Sequence, residues 1–324
     1  MSRVAVVIVN YRTADLTIDC LRSLAPEVTS LNGGVTVTVT DNLSGDDSVA
    51  KLTAAVQANG WSAWARILPL PRNGGFAYGN NEGIRPALAQ DPPPDYVLLL
   101  NPDTVVRPGG LKALVDFMDA NPTAGLAGSR LEDPDGPPQR SAFRFHSVLS
   151  EWEHGLRLGV VSKLLERHVV APDIPSHDAA VRTDWVAGAS MIVRRQVFEA
   201  IGLLDERYFM YFEEADFCLR AARAGWPCWY VPASRVVHLV GQASGVTNAK
   251  LAVKKRRPQY WFDARRRYFL SNHGRLKTVA ADVGWALGYG VFRVRRVIQR
   301  KPDTEPRLML WDFVRYNFLG GRRA

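Results

Sequence analysis

Residues Val4-Ala5-Val6-Val7-Ile8-Val9 form an unbroken apolar run of strand length. Such runs belong to strands buried on both faces of a parallel sheet. Tyr96-Val97-Leu98-Leu99-Leu100 has the same character, residues 35–40 alternate strictly between Val and Thr, and residues 66–70 add a short strand. Helix patterns lie between them. Leu16, Cys20, Leu21 and Leu24 share one face, residues 48–57 and 81–88 follow suit, and Pro108 opens a helix carrying Leu111, Leu114, Val115 and Met118, since proline suits a first helical turn. Strands alternating with helices predict an α/β fold, a mostly parallel sheet with helices on both faces. Ligands of such sheets bind beyond the carboxyl ends of the strands. Those ends carry Asn10 and Tyr11, Asp41 and Asn42, then Asn101 and Asp103.

A nicotinamide dehydrogenase needs a glycine-rich turn straight after its first strand, so that backbone can approach a pyrophosphate. Here that position reads Asn10-Tyr11-Arg12-Thr13-Ala14, and the glycines come later, in Arg72-Asn73-Gly74-Gly75-Phe76. The spacing disfavours a dehydrogenase. A sugar nucleotidyltransferase would likewise need a glycine- and basic-rich loop after that strand. Three cysteines make no disulfide framework and have no zinc-site spacing. With no cleavage site after the first apolar run and no stretch of about 18 apolar residues, a cytosolic, reduced, globular protein is expected.

Asn101-Pro102-Asp103-Thr104 reads either as an ordinary turn after a strand or as a carboxylate aimed into the crevice, where it could hold magnesium or manganese against a diphosphate. Further on, Phe209-Met210-Tyr211-Phe212 leads into Glu213, Glu214 and Asp216. Acids favour a first helical turn through the helix dipole, which does not explain the aromatic lead-in. An apolar surround raises a carboxylate's pKa and makes it a better base. Asp216 and Arg220 stand at i,i+4 spacing and can pair. His238 follows a strand pattern at residues 229–232.

Taken in order, several segments resemble an inverting glycosyltransferase of family 2 with the GT-A fold, nearest its bacterial rhamnosyltransferase-like branch. They are Val7-Ile8-Val9-Asn10-Tyr11, Asp41-Asn42-Leu43-Ser44, Arg72 to Ala77, Asn101-Pro102-Asp103, Val186 to Met191, Gly202-Leu203-Leu204-Asp205-Glu206, Phe209 to Asp216, and His238 before Gly241. The resemblance covers about residues 3–272. It implies that Asn10 and Tyr11 border the donor nucleoside and that Asp41 accepts a hydrogen bond from a pyrimidine. Arg72, Asn73 and Gly75 would line the base and sugar side of the donor pocket. Asp103 would hold a divalent cation, Mg²⁺ or Mn²⁺, with His238 as the later ligand. Glu214 would be the general base, with Asp216 its rival, and Trp185, Gly188, Ala189, Ser190 and Glu213 would sit against the acceptor. Many relatives have two or more acids where this chain has Asn101 before Asp103, so weaker metal binding is expected. The implied reaction moves L-rhamnose from dTDP-rhamnose to a hydroxyl of a polyprenyl-diphosphate-linked glycan, in cell-envelope polysaccharide synthesis. UDP-sugars, including the galactofuranose donor, are the alternative.

Charge divides the chain. Residues 1–249 hold 22 Lys/Arg against 27 Asp/Glu, and residues 250–324 hold 19 against 5. This marks a catalytic domain over 1–249 and a basic, aromatic helical tail over 250–324. Such a tail suits an anionic membrane surface. A nucleic-acid binder would account for the tail but not for the acids and glycines at the strand ends, so nucleic acid is not an expected partner. Residues 279–292 are apolar apart from Asp282, too short a run to span a bilayer. They suit either a helix lying in the membrane interface or a core helix packed on the sheet domain. The tail would dock the enzyme at the cytoplasmic leaflet. Oligomeric state leaves no mark in the sequence.

Overall fold

The computed structural model describes residues 2–173, 178–239 and 256–320. Its first half runs β1 (Val4–Asn10), α1 (Ala14–Ser30), β2 (Val35–Asp41), α2 (Ser48–Ala58), β3 (Ala65–Pro69), α3 (Gly75–Leu88), β4 (Tyr96–Leu100), β5 (Thr104–Val106) and α4 (Gly110–Ala120). Next come β6 (Leu126–Glu132), β7 (Ala142–Phe143), α5 (Val148–Leu156), α6 (Gly159–Leu164), β8 (Val181–Thr183), β9 (Trp185–Val186) and β10 (Ser190–Arg194). The rest is α7 (Arg195–Ile201), α8 (Glu213–Arg223), β11 (Cys228–His238), α9 (Gln259–Ile298) and α10 (Met309–Asn317).

The main sheet has the order β3-β2-β1-β4-β10-β6-β11-β5, with β8 added on β11. Its first four strands are parallel, so the ends of β1, β2 and β4 open on one edge. β10 runs against β4 and pairs Ser190 with Leu100, which brings residues 187–189 to that same edge. Alternation along β1 divides the core: Val4, Val6 and Ile8 pack with Leu21, Leu24 and Leu114, while Ala5 and Val7 pack with Ile84, Val197 and Phe217.

Three elements differ from the sequence expectation. α3 starts at Gly75 rather than near residue 81, because the Asn73 side chain accepts the Gly75 N–H at 3.1 Å and offsets the poor helix propensity of the glycines. β11 does not stop at Pro232. It shifts register between Val231 and Arg235 and continues to His238, as irregular pairing permits around a proline. The apolar run 279–292 belongs to the much longer α9, broken only at Gly274, where φ is 77°.

α9 is built into the body. Gly284 and Gly288 face α5: a Cβ on Gly284 would lie 2.3 Å from the Trp152 ring, and one on Gly288 2.9 Å from the Leu156 nitrogen. Arg265, fully buried, bonds Glu151 of α5 at 2.8 Å and Asp282 of α9 at 2.5 Å. The junction at 249/250 and the residues Gly241, Lys254 and Lys255 lie outside the described residues.

Candidate active site

At the strand ends, Asn10 is wholly buried and donates through Nδ2 to Asp41 Oδ1 at 2.7 Å and to Ser44 Oγ at 3.2 Å. Thr13 and Thr17 donate to its Oδ1. Asp41 Oδ2 accepts the Ser44 N–H at 3.0 Å. This network holds two parallel strand ends together, and Asp41 is 3% exposed within it. Tyr11 remains at the lip, more than a third exposed.

Asn42 is the hinge pin of the glycine loop. Its Nδ2 donates to Asn73 Oδ1 at 3.1 Å and to the Gly75 carbonyl at 3.0 Å, and its Oδ1 accepts the Gly74 N–H. Gly75 has φ 85°, and a Cβ there would lie 2.0 Å from the Phe209 carbonyl. The Phe76 N–H donates to that carbonyl at 2.7 Å. Gly75 therefore serves first as a backbone joint to the acid-bearing segment. Arg72 lies over the Tyr78 ring at 4.0 Å and within 3.8 Å of the Glu206 carboxylate.

Asp103 follows β4, 3% exposed. β5 pairs Thr104 with His238 of β11, and this register puts His238 Nε2 3.5 Å from Asp103 Oδ1. Nearby in sequence, Asn101 Oδ1 is buried without a hydrogen-bond partner among the described residues. Those residues contain no group of three or more His, Cys, Asp or Glu suited to a metal ion. A carboxylate, an imidazole and an orphaned amide carbonyl nevertheless fit a nucleotide-bound Mg²⁺ or Mn²⁺, which keeps waters and takes phosphate oxygens.

The acids sit in the first turn of α8. Tyr211 and Phe212 just before it have φ of 73° and 67°, a left-handed pair costing about 1–3 kcal/mol per residue. Their rings pack on Tyr260 and Tyr268 of α9, which explains the aromatic lead-in: it locks a strained turn that aims the acids. Glu213 is buried, and its Oε2 and that of Glu214 have no partner among the described residues. Gly188 lies against both the Glu214 carboxylate and the Phe76 ring: a Cβ there would come within 3.7 Å of Glu214 Oε1 and 3.2 Å of the ring. Burial raises the pKa of both acids. The Glu214 charge adds to the rise at Glu213, and backbone N–H groups partly oppose it at Glu214.

Raised carboxyl pKa values have a stability consequence with a definite sign. A folded pKa above the unfolded value, about 4.3 for Glu, means that stability is fully present below that value and falls as pH rises towards the folded one. Glu213→Gln is therefore expected to raise the unfolding midpoint at pH 7. The gain should fade below about pH 4 in a pH series of thermal melts.

Asp216 differs from its neighbours. Its Oδ2 accepts Arg220 Nε at 2.9 Å, and its Oδ1 accepts the Tyr208 hydroxyl at 3.3 Å and Asn272 Nδ2 at 2.8 Å. Both oxygens are committed, so Asp216 clamps α8 to α9 and is not poised to take a proton. Ser190 also departs from expectation. At 2% exposure its hydroxyl lies 2.7 Å from Ser129, which continues to Ser234; it faces the sheet interior, not an acceptor. Ala189 is likewise buried, its carbonyl taking the Asn101 N–H. Trp185 stacks on Phe143 at 4.2 Å and donates Nε1 to the Arg144 carbonyl, half-buried beside the Phe212 cluster. Asn42 and Phe76 were visible only as members of motifs, and Asn272 had no sequence signal at all.

A family model described as glycosyltransferase-like family 2 matches residues 2–269. The N-acetylglucosaminyl-diphospho-decaprenol L-rhamnosyltransferase of Mycobacterium tuberculosis is 31% identical over 178 residues, 53% of this chain and 56% of that protein. The rhamnosyltransferase WbbL of Escherichia coli is 28% identical over 169 residues, 51% of this chain and 61% of WbbL. The matched segment thus spans little more than half the length of these relatives. Among solved structures, the mannosyltransferase PcManGT from Pyrobaculum calidifontis, in complex with GDP-Man and Mn²⁺, superposes with a TM-score of 0.54 at 13% identity, over 97% of this chain and 85% of that one. That likeness speaks for a shared GT-A-type sheet. With five-sixths of its length under the family model, and with the strand-end shelf and the acid-bearing helix in place, this chain belongs to the glycosyltransferase-like family 2.

Proposed function

We propose that the protein is an inverting transferase moving L-rhamnose from dTDP-rhamnose to a hydroxyl of a polyprenyl-diphosphate-linked glycan at the cytoplasmic face of the membrane, for envelope polysaccharide. The observation that carries the reading is the Glu214 carboxylate, its Oε2 buried and its Oε1 beside Gly188, next to a glycine loop joined to the same segment through Gly75 and Phe209. The rhamnosyl group follows the printed names of the M. tuberculosis and E. coli relatives, and the lipid-linked acceptor that of the M. tuberculosis relative.

Glu214 accepts the proton of the acceptor hydroxyl, whose oxygen attacks the anomeric carbon from the face opposite the nucleotide. A new C–O bond forms as the bond to the diphosphate oxygen breaks, and the electron pair leaves with dTDP. Tyr11 and Arg72 contact the nucleoside and sugar from the lip, while Asn10, Asp41 and Asn42 hold the shelf beneath. Trp185, Gly188 and Glu213 shape the acceptor side. Asp103, His238 and the Asn101 carbonyl would hold a divalent cation, which supplies charge neutralisation for the leaving diphosphate. Positioning provides much of the rate, and base catalysis adds about 10²–10⁴-fold.

Calorimetry with dTDP-rhamnose, UDP-sugars and GDP-sugars, with and without Mg²⁺ or Mn²⁺, tests the donor. Metal-dependent binding of dTDP-rhamnose is expected, with Asp103→Ala weakening it by about tenfold or more, in the range seen when metal-site residues are lost. Binding of a UDP-sugar alone would reassign the donor. No binding of any nucleotide sugar would remove the function from the strand-end shelf.

A further inference from the structure

The outer half of α9 carries a row of apolar side chains left exposed among the described residues. Leu276, Val279, Val283, Leu287, Val291 and Val294 are 88%, 53%, 38%, 58%, 52% and 62% exposed. Val297 and Ile298 extend the row at 67% and 75%. At 3.6 residues per turn these positions, with Ala280 and Gly290, fall within an arc of about 120° and run for about 33 Å. The opposite face explains why the row points outward: Gly284, Trp285, Gly288 and Tyr289 are committed to α5 and α10.

Charge frames the row. Arg275 and Arg293 project along one flank, and Lys277 and Arg295 along the other, by the same helical arithmetic, although Arg293 pairs with Asp303 at 3.0 Å and Arg295 donates to the Leu156 and Arg157 carbonyls. Arg300 and Lys301, both exposed, follow its end. Arg275, Lys277, Arg300 and Lys301 make no ion pair among the described residues. The one acid within the row's span, Asp282, is turned inward to Arg265 and is 1% exposed. An apolar stripe bordered by cations and without exposed acid is the signature of a helix lying in a bilayer interface. Among the described residues no helix is long and apolar enough to cross a membrane, so burial in the plane is the geometry left to it. A second copy fits less well, because a symmetric pairing of two such stripes would set cationic flanks against each other.

We infer that this face of α9 is the seat of the protein on an anionic lipid leaflet, with Leu276 to Ile298 lying in the plane of the headgroups and Arg275, Lys277, Arg300 and Lys301 on lipid phosphates. The choice of a membrane as partner rests in part on the lipid-linked acceptor proposed above, and the seat would hold the acceptor-side pocket near that lipid. The two earlier alternatives for this segment then describe its two faces: one packs in the core and the other meets lipid.

The test is co-sedimentation of the full chain with vesicles of phosphatidylcholine alone and of phosphatidylcholine with phosphatidylglycerol at equal parts. Binding to the anionic vesicles is expected, weakened by salt. Val283→Asp with Leu287→Asp should lower the partition coefficient by about tenfold or more, the cost of bringing two carboxylates to the apolar face. Arg275→Glu with Lys277→Glu should erase the preference for anionic lipid. Unchanged thermal midpoints in these exposed-site variants show that the fold is intact. Failure of the folded wild type to bind, or binding indifferent to the Asp pair, overturns the inference. So does a dimer in light scattering that Leu287→Asp dissociates, which would assign the face to a second copy. The assay contains neither donor nor acceptor. A chain that binds vesicles through Leu287 but binds no nucleotide sugar would keep the seat and lose the transferase.

Discussion

Glu214→Gln should retain donor affinity and lose about 10²–10⁴ in turnover, the span attributed to a positioned base. Glutamine keeps the shape and fills the same space beside Gly188, so the loss isolates proton transfer. In the wild type, activity should rise with pH through the raised pKa of Glu214, since only the carboxylate takes a proton. That acid limb should lie above the ordinary glutamate value of about 4.3. It should vanish in the Gln variant. Asp216→Asn is the paired control. Its oxygens already serve Arg220, Tyr208 and Asn272, so its loss should appear mainly as a lower unfolding midpoint. If Glu214→Gln stays within tenfold of wild type while Asp216→Asn loses turnover at unchanged stability, the base assignment is wrong.

Arg265→Ala should cost about 3–5 kcal/mol of stability, as expected when one member of a buried ionic cluster is removed. The guanidinium lies between Glu151 and Asp282, with all three side chains at most 4% exposed. Burial alone would raise the Glu151 carboxyl, but the Arg265 charge and the His146 ring 3.7 Å away hold it at about 2. At Asp282 burial prevails over the shared Arg265 charge and the pKa rises. The depressed Glu151 contributes stability present above its unfolded value and lost as pH falls from about 4.3 towards about 2. Removing Arg265 leaves two buried carboxylates without their shared cation, and it removes the ionic tie between α9 and α5. Urea unfolding at pH 7 reads the effect directly. A loss under about 1 kcal/mol would mean that water reaches the cluster and screens it.

The second result would bear on the site as well as on the fold. Tyr260 and Tyr268 of α9 hold the left-handed pair Tyr211 and Phe212, and Asn272 holds Asp216. A loosened α9 would therefore release the turn that aims Glu214. The basic tail reads in the sequence as an appendage for docking, but its inner face is part of the scaffold of the acid-bearing helix.

Much of the architecture was legible because it is local. The apolar run at residues 4–9, the Val/Thr alternation at 35–40 and the leucines of α1 each declare an element within a few residues of chain. Parallel pairing then follows from their alternation, and the polar residues at the strand ends follow from the run lengths. Periodicity also placed Glu213 and Asp216 in one helical turn. It could not tell which acid was spent, because Asn272 approaches Asp216 from 56 residues away. Nor could it foresee that Ser190 would be consumed by Ser129 inside the sheet, since both neighbours of β10 are decided by long-range order. His238 reaches Asp103 only because β11, after shifting register against β6, continues past Pro232 to pair with β5. The apolar row of α9 shows the same limit: its spacing announces an amphipathic helix, and only the packing of Gly284 and Gly288 on α5 decides that valine and leucine face outward. Local sequence sets which conformations each segment favours. Which polar groups are satisfied, and which apolar ones are left bare, depends on partners that only the folded chain brings within reach.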